Sequence, residues 1–384
     1  MQIKLNISTC TGCHACTVVC PRGCISMMPD DLGFLRPRIK EEDCISCGLC
    51  EKICEKTKAL PVYAEQKIFA AKHKDSDIRS QSASGGVFTA LSDIILEDGG
   101  VVVGSVYGED MSVFHTFAYT AEERNRMRGS KYTYSLCNKE TLLSVKQLLD
   151  DGVTILFTGT PCQNAALKAT LGKDYANLYL ADILCHGICA PNIYHDFVSD
   201  LTKRDRVTNI NFRYPTENWH APTTLVTYEK KGARKGNSEN AYFKIFVQNR
   251  VLRESCYECP YASFSRVSDI TMGDFWGIES THSEFDAPNG VSVITVNTQK
   301  GEDLLSRAEK ALTLLAVSPA DCSHEQLNGL RPRVQDENFL ADYKQKGYAY
   351  VAKKYTYKPF SLRARESLYR IKLIKKMRDF IKRG

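Results

Sequence analysis

A small cysteine-rich α+β domain followed by a larger α/β domain with a mixed or parallel sheet is the fold class this sequence predicts. Three observations lead there. The chain has 384 residues, more than one core usually serves, so two or three domains are expected. Nine of its 16 cysteines lie within the first 54 residues. Beyond residue 80, strand-length apolar runs alternate with stretches whose apolar positions recur at helical spacing, the signature of a layered α/β core. The expected division is 1–62 for the cysteine-rich domain, 63–80 for a linker of mixed polarity, 81–330 for the α/β domain and 331–384 for a C-terminal extension.

Composition narrows the function classes. With 43% hydrophobic and 25% charged residues, the chain has an ordinary globular balance. It holds no apolar run of about 18 residues and its N-terminus lacks a secretory-leader pattern, so a cytoplasmic protein is expected. In that reducing setting the cysteines point to metal or redox chemistry rather than a disulfide framework. The net charge of +6 is local, because the tail from Ser361 to Gly384 carries nine basic residues against two acidic ones. The body is close to neutral, and no nucleic-acid partner is expected.

The run "CTGCHACTVVCP" sets Cys10, Cys13, Cys16 and Cys20 at C-x2-C-x2-C-x3-C, with Pro21 behind. "CISCGLCEKICE" repeats the spacing at Cys44, Cys47, Cys50 and Cys54. This is the pattern of two-cluster ferredoxins, in which the fourth cysteine of each run ligates the other run's cluster. The domain is thus expected to be α+β and ferredoxin-like, with two 4Fe-4S clusters. Cluster A would take Cys10, Cys13, Cys16 and Cys54; cluster B would take Cys44, Cys47, Cys50 and Cys20. Zinc prefers paired C-x2-C knuckles on a longer loop, not three cysteines in seven residues. Glu55 stands where the second run would usually carry Pro, and Cys24 is left over as a buried thiol.

In the body, "SASGGVFTALSDIILEDGG" offers Ser82 and Ser84 as caps and Val87, Leu91, Ile94 and Ile95 as a helical apolar face. Gly99-Gly100 ends that helix. The order continues with a strand in "VVVGSVYG", a helix over 139–149, a strand over 153–157, a helix over 162–171 and a strand over 178–184. Strands in "DITMGDFWG" and "VSVITVNT" and a helix over 302–314 follow. The turn Ser84-Gly85-Gly86 is either a flexible cap or a phosphate cradle at a helix mouth. Arg128-Gly129-Ser130-Lys131 either clamps a pyrophosphate or carries solvated charge. No G-x-G-x-x-G fingerprint is present, so a Rossmann-type site is not supported.

Four further cysteines stand at informative places. Cys162 opens a helix directly after a strand, Cys185 ends the next strand, and Cys256 and Cys259 form a C-x2-C pair before Pro260. In a parallel α/β unit Cys162 and Cys185 reach the same carboxyl edge of the sheet. The four sulfurs suit a third 4Fe-4S cluster. A structural zinc, unrelated thiols, or a Cys162 nucleophile paired with His186 are the competing readings. Cys137, Cys189 and Cys322 have no partners at ligand spacing and are read as packing.

Taken in order, "SASGGVFTAL", "RGSKY", "LFTGTPCQNAALK", "CHG", "NFR", "C-x2-CPY" and "DITMGDFWG" resemble the beta-subunit family of coenzyme F420 hydrogenases and dehydrogenases, in the form with an N-terminal two-cluster ferredoxin. The resemblance implies bound FAD and a cluster beside it on Cys162, Cys185, Cys256 and Cys259. It also implies flavin contacts from Ser84, Gly85, Gly86, Arg128, Gly129, Ser130 and Lys131, with Gly159 and Thr160 near the ring system. The implied activity is hydride exchange at the flavin coupled to single-electron transfer through 4Fe-4S clusters. The implied partners are a small-molecule hydride donor or acceptor, coenzyme F420 among them, and a ferredoxin-like or other redox protein. A non-catalytic electron-transfer subunit and a ferredoxin-dependent reductase of another small molecule are the alternatives. Arg213 in "NFRYP" and Asp274 in "GDFWG" are substrate-binding candidates, although Asp274 and Trp276 fit equally a turn and a core aromatic.

In the tail, Leu368, Ile371, Ile374, Met377 and Ile381 recur three or four apart, with basic residues between them. A cationic amphipathic helix is expected. Its face would pack on its own domain, dock an acidic partner, or make peripheral contact with the inner face of an anionic membrane.

Overall fold

In the N-terminal segment the two cysteine runs wind around two short helices, Ala15–Val19 and Leu49–Ile53, and a hairpin of β1 (Ile25–Pro29) and β2 (Leu35–Ile39). The hairpin pairs antiparallel from Ile25 opposite Ile39 to Pro29 opposite Leu35. Asp30 closes its turn by accepting from the backbone N–H groups of Leu32 and Phe34, at 3.0 and 2.9 Å. Cys24, Ile25 and Cys50 form the small core of this segment. The computed structural model describes residues 5, 7–54, 67–214, 219, 223–236, 238–322, 327, 329, 334 and 336–356. Glu55 and the tail helix expected from Leu368 lie outside them.

The main body is built on an eight-stranded sheet in the order β13-β3-β12-β11-β7-β6-β4-β5. The strands are β3 (Lys67–His73), β4 (Val101–Tyr107), β5 (Val113–Ala118), β6 (Ile155–Gly159), β7 (Leu178–Ile183), β11 (Ile270–Asp274), β12 (Ser292–Val296) and β13 (Leu312–Val317). The central four, β4, β6, β7 and β11, run parallel, and antiparallel strands flank them on both sides. The sheet is therefore mixed, as expected. Period-two alternation gives it two apolar faces. Val102, Val106 and Leu156 face the helices Val87–Glu97 and Gln299–Ala308, whereas Val101, Val103, Ile155 and Phe157 face Lys139–Asp150 and Pro161–Leu171. A separate antiparallel sheet orders β10 (Gly232–Lys235), β9 (Thr223–Tyr228) and β8 (Val207–Tyr214).

Two expectations change. The segment 63–80 was expected to be a linker, yet from residue 67 it supplies β3, an inner strand with Ala70 and Ala71 fully buried. Its lysines and histidine obscure the alternation, and its pairing partners β12 and β13 lie more than 200 residues away. The helix expected over 302–314 stops at Ala308, and Leu312–Val317 is instead β13. A short apolar run has no decisive period, so the free edge of β3 decides its conformation. Strand β5 and the three-stranded sheet carry weak alternation and emerge only in the folded chain.

The chain divides into two compact units, Met1–Gln335 and Asp336–Gly384. In the second, the segment Glu337–Thr356 is helical with a break at Gly347. Lys346, Lys354 and Tyr355 all donate to Asp342, at 2.8, 2.6 and 2.9 Å. Hydrogen bonds from these three hold the Asp342 carboxyl well below the usual range. No helix of the described residues is long and apolar enough to cross a membrane.

Candidate redox site

Among the N-terminal cysteines, Cys20 shares one small pocket with Cys44, Cys47 and Cys50, and Cys24 lines it too. The Cys20 and Cys24 sulfurs are 3.4 Å apart. Burial pushes the Cys16 thiol up to about 12, and its neighbours Cys10, Cys50 and Cys54 add to the rise. Cys20 of the first run thus stands with Cys44, Cys47 and Cys50 of the second, while Cys16 has both Cys50 and Cys54 of the second run among its neighbours. Cys47 is exposed, whereas Cys50 is buried. Three thiolates within one turn and a fourth from the other run make a donor set suited to a cubane.

A cavity of about 580 Å³ opens at the carboxyl edge of the parallel strands, within the usual range for a cofactor site. Its wall holds Cys13, Cys162 and Cys185 together with Ser84, Gly86, Arg128, Gly129, Ser130, Lys131, Gly159 and Thr160. The helix Val87–Glu97 enters it through Gly86, whose φ of 85° suits glycine, and no side chain caps its N-terminus. Ser82 and Ser84, expected as caps, donate instead to the carbonyls of Ile78 and Val291, at 2.7 and 3.0 Å. The helix mouth thus keeps N–H groups available to an anion. Arg128 stands beside it, anchored on Thr89 Oγ1 at 3.1 Å and Gln81 Oε1 at 3.0 Å. Together they suit a large anionic ligand.

Two of the expected contact residues are engaged by the chain's own surroundings, Gly85 off the wall and Lys131 on it. Gly85 is absent from the wall: its N–H donates to Ser292 Oγ at 2.9 Å, and a Cβ there would lie 2.3 Å from the Ala71 carbonyl. Close packing between β3 and β12 explains that glycine. Lys131 turns its ammonium onto the carbonyls of Met127, Arg128 and Gly129, at 2.8, 2.9 and 3.0 Å. It closes the loop backbone, and burial pulls it down to about 7.

At the opposite end, Thr160 Oγ1 contacts Cys162 Sγ at 3.2 Å. Cys162 and Cys259 pack on the same apolar cluster of Ala165, Tyr261 and Val267. The Ile188 N–H, three residues past Cys185, donates to Cys256 Sγ at 3.4 Å. Cys162 and Cys185 thus both line the cavity beyond the ends of β6 and β7, and these two contacts are what tie Cys259 and Cys256 to their surroundings. His186, the alternative partner of Cys162, is instead 2.7 Å from Asn249 Oδ1. Cys137, Cys189 and Cys322 are buried, and burial pushes their thiols up to about 12, 12 and 11.

The wall also holds residues that the sequence marked, Arg213 and Asp274, and two that it did not, His115 and Tyr134. Arg213 pairs with Asp274 at 2.8 Å and lies over the Trp276 ring at 4.8 Å, so the two substrate-binding candidates meet each other on the wall. His115 is buried, stacks on Phe157, and contacts Thr158 O at 3.1 Å and Ser135 Oγ at 2.9 Å. Burial lowers it to about 4, so the ring is neutral. Tyr134 joins the two cysteine regions: its hydroxyl donates to Gly12 O at 2.7 Å. Burial raises its phenol, Arg253 counters the rise, and Cys13, Cys137 and Cys162 add to it. A lone His on a strand or a lone Tyr in a loop carries no spacing signal, which is why these two were missed.

Comparison with known proteins identifies the family. Residues 68–140 and 152–321 match the N-terminal and C-terminal models of the coenzyme F420 hydrogenase/dehydrogenase beta subunit, and residues 9–58 match a 4Fe-4S dicluster domain. A coenzyme F420-dependent sulfite reductase of Methanocaldococcus jannaschii is 24% identical over 329 residues, 79% of this chain and 47% of the relative. The chain thus spans about half the length of that protein. Among solved structures, a chain of the F420-reducing NiFe hydrogenase complex of Methanosarcina barkeri aligns at 18% identity with a TM-score of 0.47. The alignment covers 77% of this chain and 91% of that one.

Proposed function

The chain belongs to the coenzyme F420 hydrogenase/dehydrogenase beta-subunit family and carries a 4Fe-4S dicluster domain, and from that premise we propose that it is an iron–sulfur flavoprotein oxidoreductase. It couples hydride exchange with a small molecule, coenzyme F420 the first candidate, to single-electron exchange with a redox partner protein. One observation carries this reading: a single cavity is lined at once by an uncapped helix mouth, by Cys162 and Cys185, and by Cys13 of the dicluster domain. A bound flavin would supply the exchange between a two-electron hydride and single electrons.

The chain's own residues divide the work. Gly86, Val87 and Phe88 present the helix mouth, where backbone N–H groups would hold the pyrophosphate of FAD, with Arg128 adding positive charge. Cys162, Cys185, Cys256 and Cys259 would hold a third cluster. The Arg213–Asp274 pair and Trp276 shape the wall across from the helix mouth. Cys47, exposed at the surface of the dicluster domain, marks the side open to an outside partner.

Anaerobic reconstitution followed by flavin, iron and sulfide assay, then titration with reduced coenzyme F420, tests this. Bleaching of flavin absorbance followed by that of the clusters is the expected result. Stoichiometric flavin that only dithionite bleaches would retain the architecture and reject coenzyme F420. Absence of flavin after reconstitution would leave the second reading, a non-catalytic electron-transfer subunit.

A further inference from the structure

The interior of the first compact unit holds a guanidinium that no carboxylate of the described residues explains. Arg253 is 1% exposed. Its Nη1 donates to the carbonyls of Cys10 and Leu35, at 3.1 and 3.2 Å. Its charged carbon lies over the rings of Phe34, at 4.8 Å, and Tyr134, at 5.5 Å. Nε and Nη2 are buried without a hydrogen-bond partner. Arg36, which donates to the same Cys10 carbonyl, has Asp30 at 3.1 Å; Arg253 has no such counterpart among the described residues.

A buried, unpaired cation is among the costliest arrangements in a protein and persists where an anion offsets it. The surroundings point to one anion. Arg253 grips the loop of Cys10 and Cys13, and Gly12 is the residue that lets it approach. A Cβ at Gly12 would lie 3.0 Å from Arg253 Nη2. The Gly12 N–H in turn donates to Cys10 Sγ at 3.3 Å. A cubane on four thiolates is anionic in either redox state. On its other side, Arg253 O accepts from the Cys256 N–H at 2.8 Å, so the same residue opens the C-x2-C turn.

We infer that Arg253 supplies the counter-charge of cluster A and sets its reduction potential from a position between that cluster's loop and the third cysteine set. The inference rests on the cluster reading above. Each electron accepted by the cluster adds one unit of negative charge and takes up no proton at Arg253, because a guanidinium stays charged throughout. A fixed positive charge nearby favours the reduced form. Arg253 is a positioning residue: it acts through the cluster and touches no substrate.

The test is a redox titration of the reconstituted full-length chain with dithionite and mediators, reading the cluster signals by EPR, with Cys54→Ala used to assign cluster A. Iron and sulfide content of the wild type comes first, and a wild type without dicluster iron defeats the cluster reading before Arg253 is at issue. Arg253→Gln keeps a donor for the two carbonyls and removes the charge; Arg253→Lys keeps the charge. At the wild-type midpoint, the oxidised-to-reduced ratio of cluster A should rise about tenfold in Arg253→Gln. It should stay near the wild-type ratio in Arg253→Lys, and cluster B should keep its ratio in both. An unchanged ratio in Arg253→Gln, or equal shifts in both variants, overturns the inference. Where Arg253→Gln fails to retain cluster A, retention at the wild-type ratio in Arg253→Lys supports it, and loss in both overturns it.

Discussion

Cys10, Cys13 and Cys16 fall within seven residues that lead into the helix Ala15–Val19, so the chain itself keeps them close. Cys162, Cys185, Cys256 and Cys259, the proposed third ligand set, are scattered through the main body, and Cys162 and Cys185 reach one cavity only because β6 and β7 run parallel and end at the same edge. The first set depends on local geometry; the second depends on the whole sheet. A ligand set of the first kind depends mainly on its own cysteines and the few residues packed on them. One of the second kind is vulnerable to anything that disturbs the strands or loops between them.

The largest expected effect separates the two sets. Cys162→Ala should lose one cluster's iron, keep the dicluster domain's EPR signals, and abolish reduction of those clusters by the hydride donor while dithionite still reduces them. Full iron content with normal electron passage would remove Cys162 from the site. Cys54→Ala probes the crossing of the two N-terminal runs. It should remove the cluster held by Cys10, Cys13 and Cys16 and leave the one held by Cys20, Cys44, Cys47 and Cys50, as counted by iron assay and EPR. Loss of the second cluster instead would show that each run keeps its own fourth ligand.

A smaller effect tests how far the sheet-dependent region responds to pH. His115 on β5 stacks on Phe157 of β6, and burial lowers it from an ordinary 6.5 to about 4. Between those values the unfolded chain binds the proton and the folded chain does not. Stability should therefore fall as the pH drops from 6.5 towards 4, by at most about 3 kcal/mol. Urea denaturation at pH 7 and pH 5 should show this loss in the wild type and a reduced one in His115→Gln; equal losses would remove the cause from His115. The smallest effect is at the helix mouth. Gly86 has φ of 85°, so Gly86→Ala should cost about 1–2 kcal/mol and weaken flavin retention without changing dicluster iron. Unaltered melting temperature and flavin content would contradict the role of that turn.

Much of the fold was legible. The helix Val87–Glu97, the strands at 101–107, 155–159 and 178–183 and the helix Pro161–Leu171 follow from apolar period and from Gly and Pro punctuation. Strand β3 was not, because its lysines and histidine blur the alternation and its neighbours come from the far end of the chain. Gly85 and Lys131 show the same limit at the site. A glycine or a lysine in a promising motif reads identically whether it meets a ligand or, as here, closes the backbone of its own surroundings.

The sequence by itself determined the ligand spacing of residues 10–54, the layered class of the main body and the family, since these depend on residue types a few positions apart. Tertiary structure alone decided that one cavity touches Cys13, Cys162 and the mouth of Val87–Glu97 at once. It also decided that Arg253 lies buried between the two cysteine regions with no carboxylate beside it among the described residues. The reason is physical: such contacts join residues far apart in the chain, and their energies depend on distances and burial that exist only after the sheet has closed.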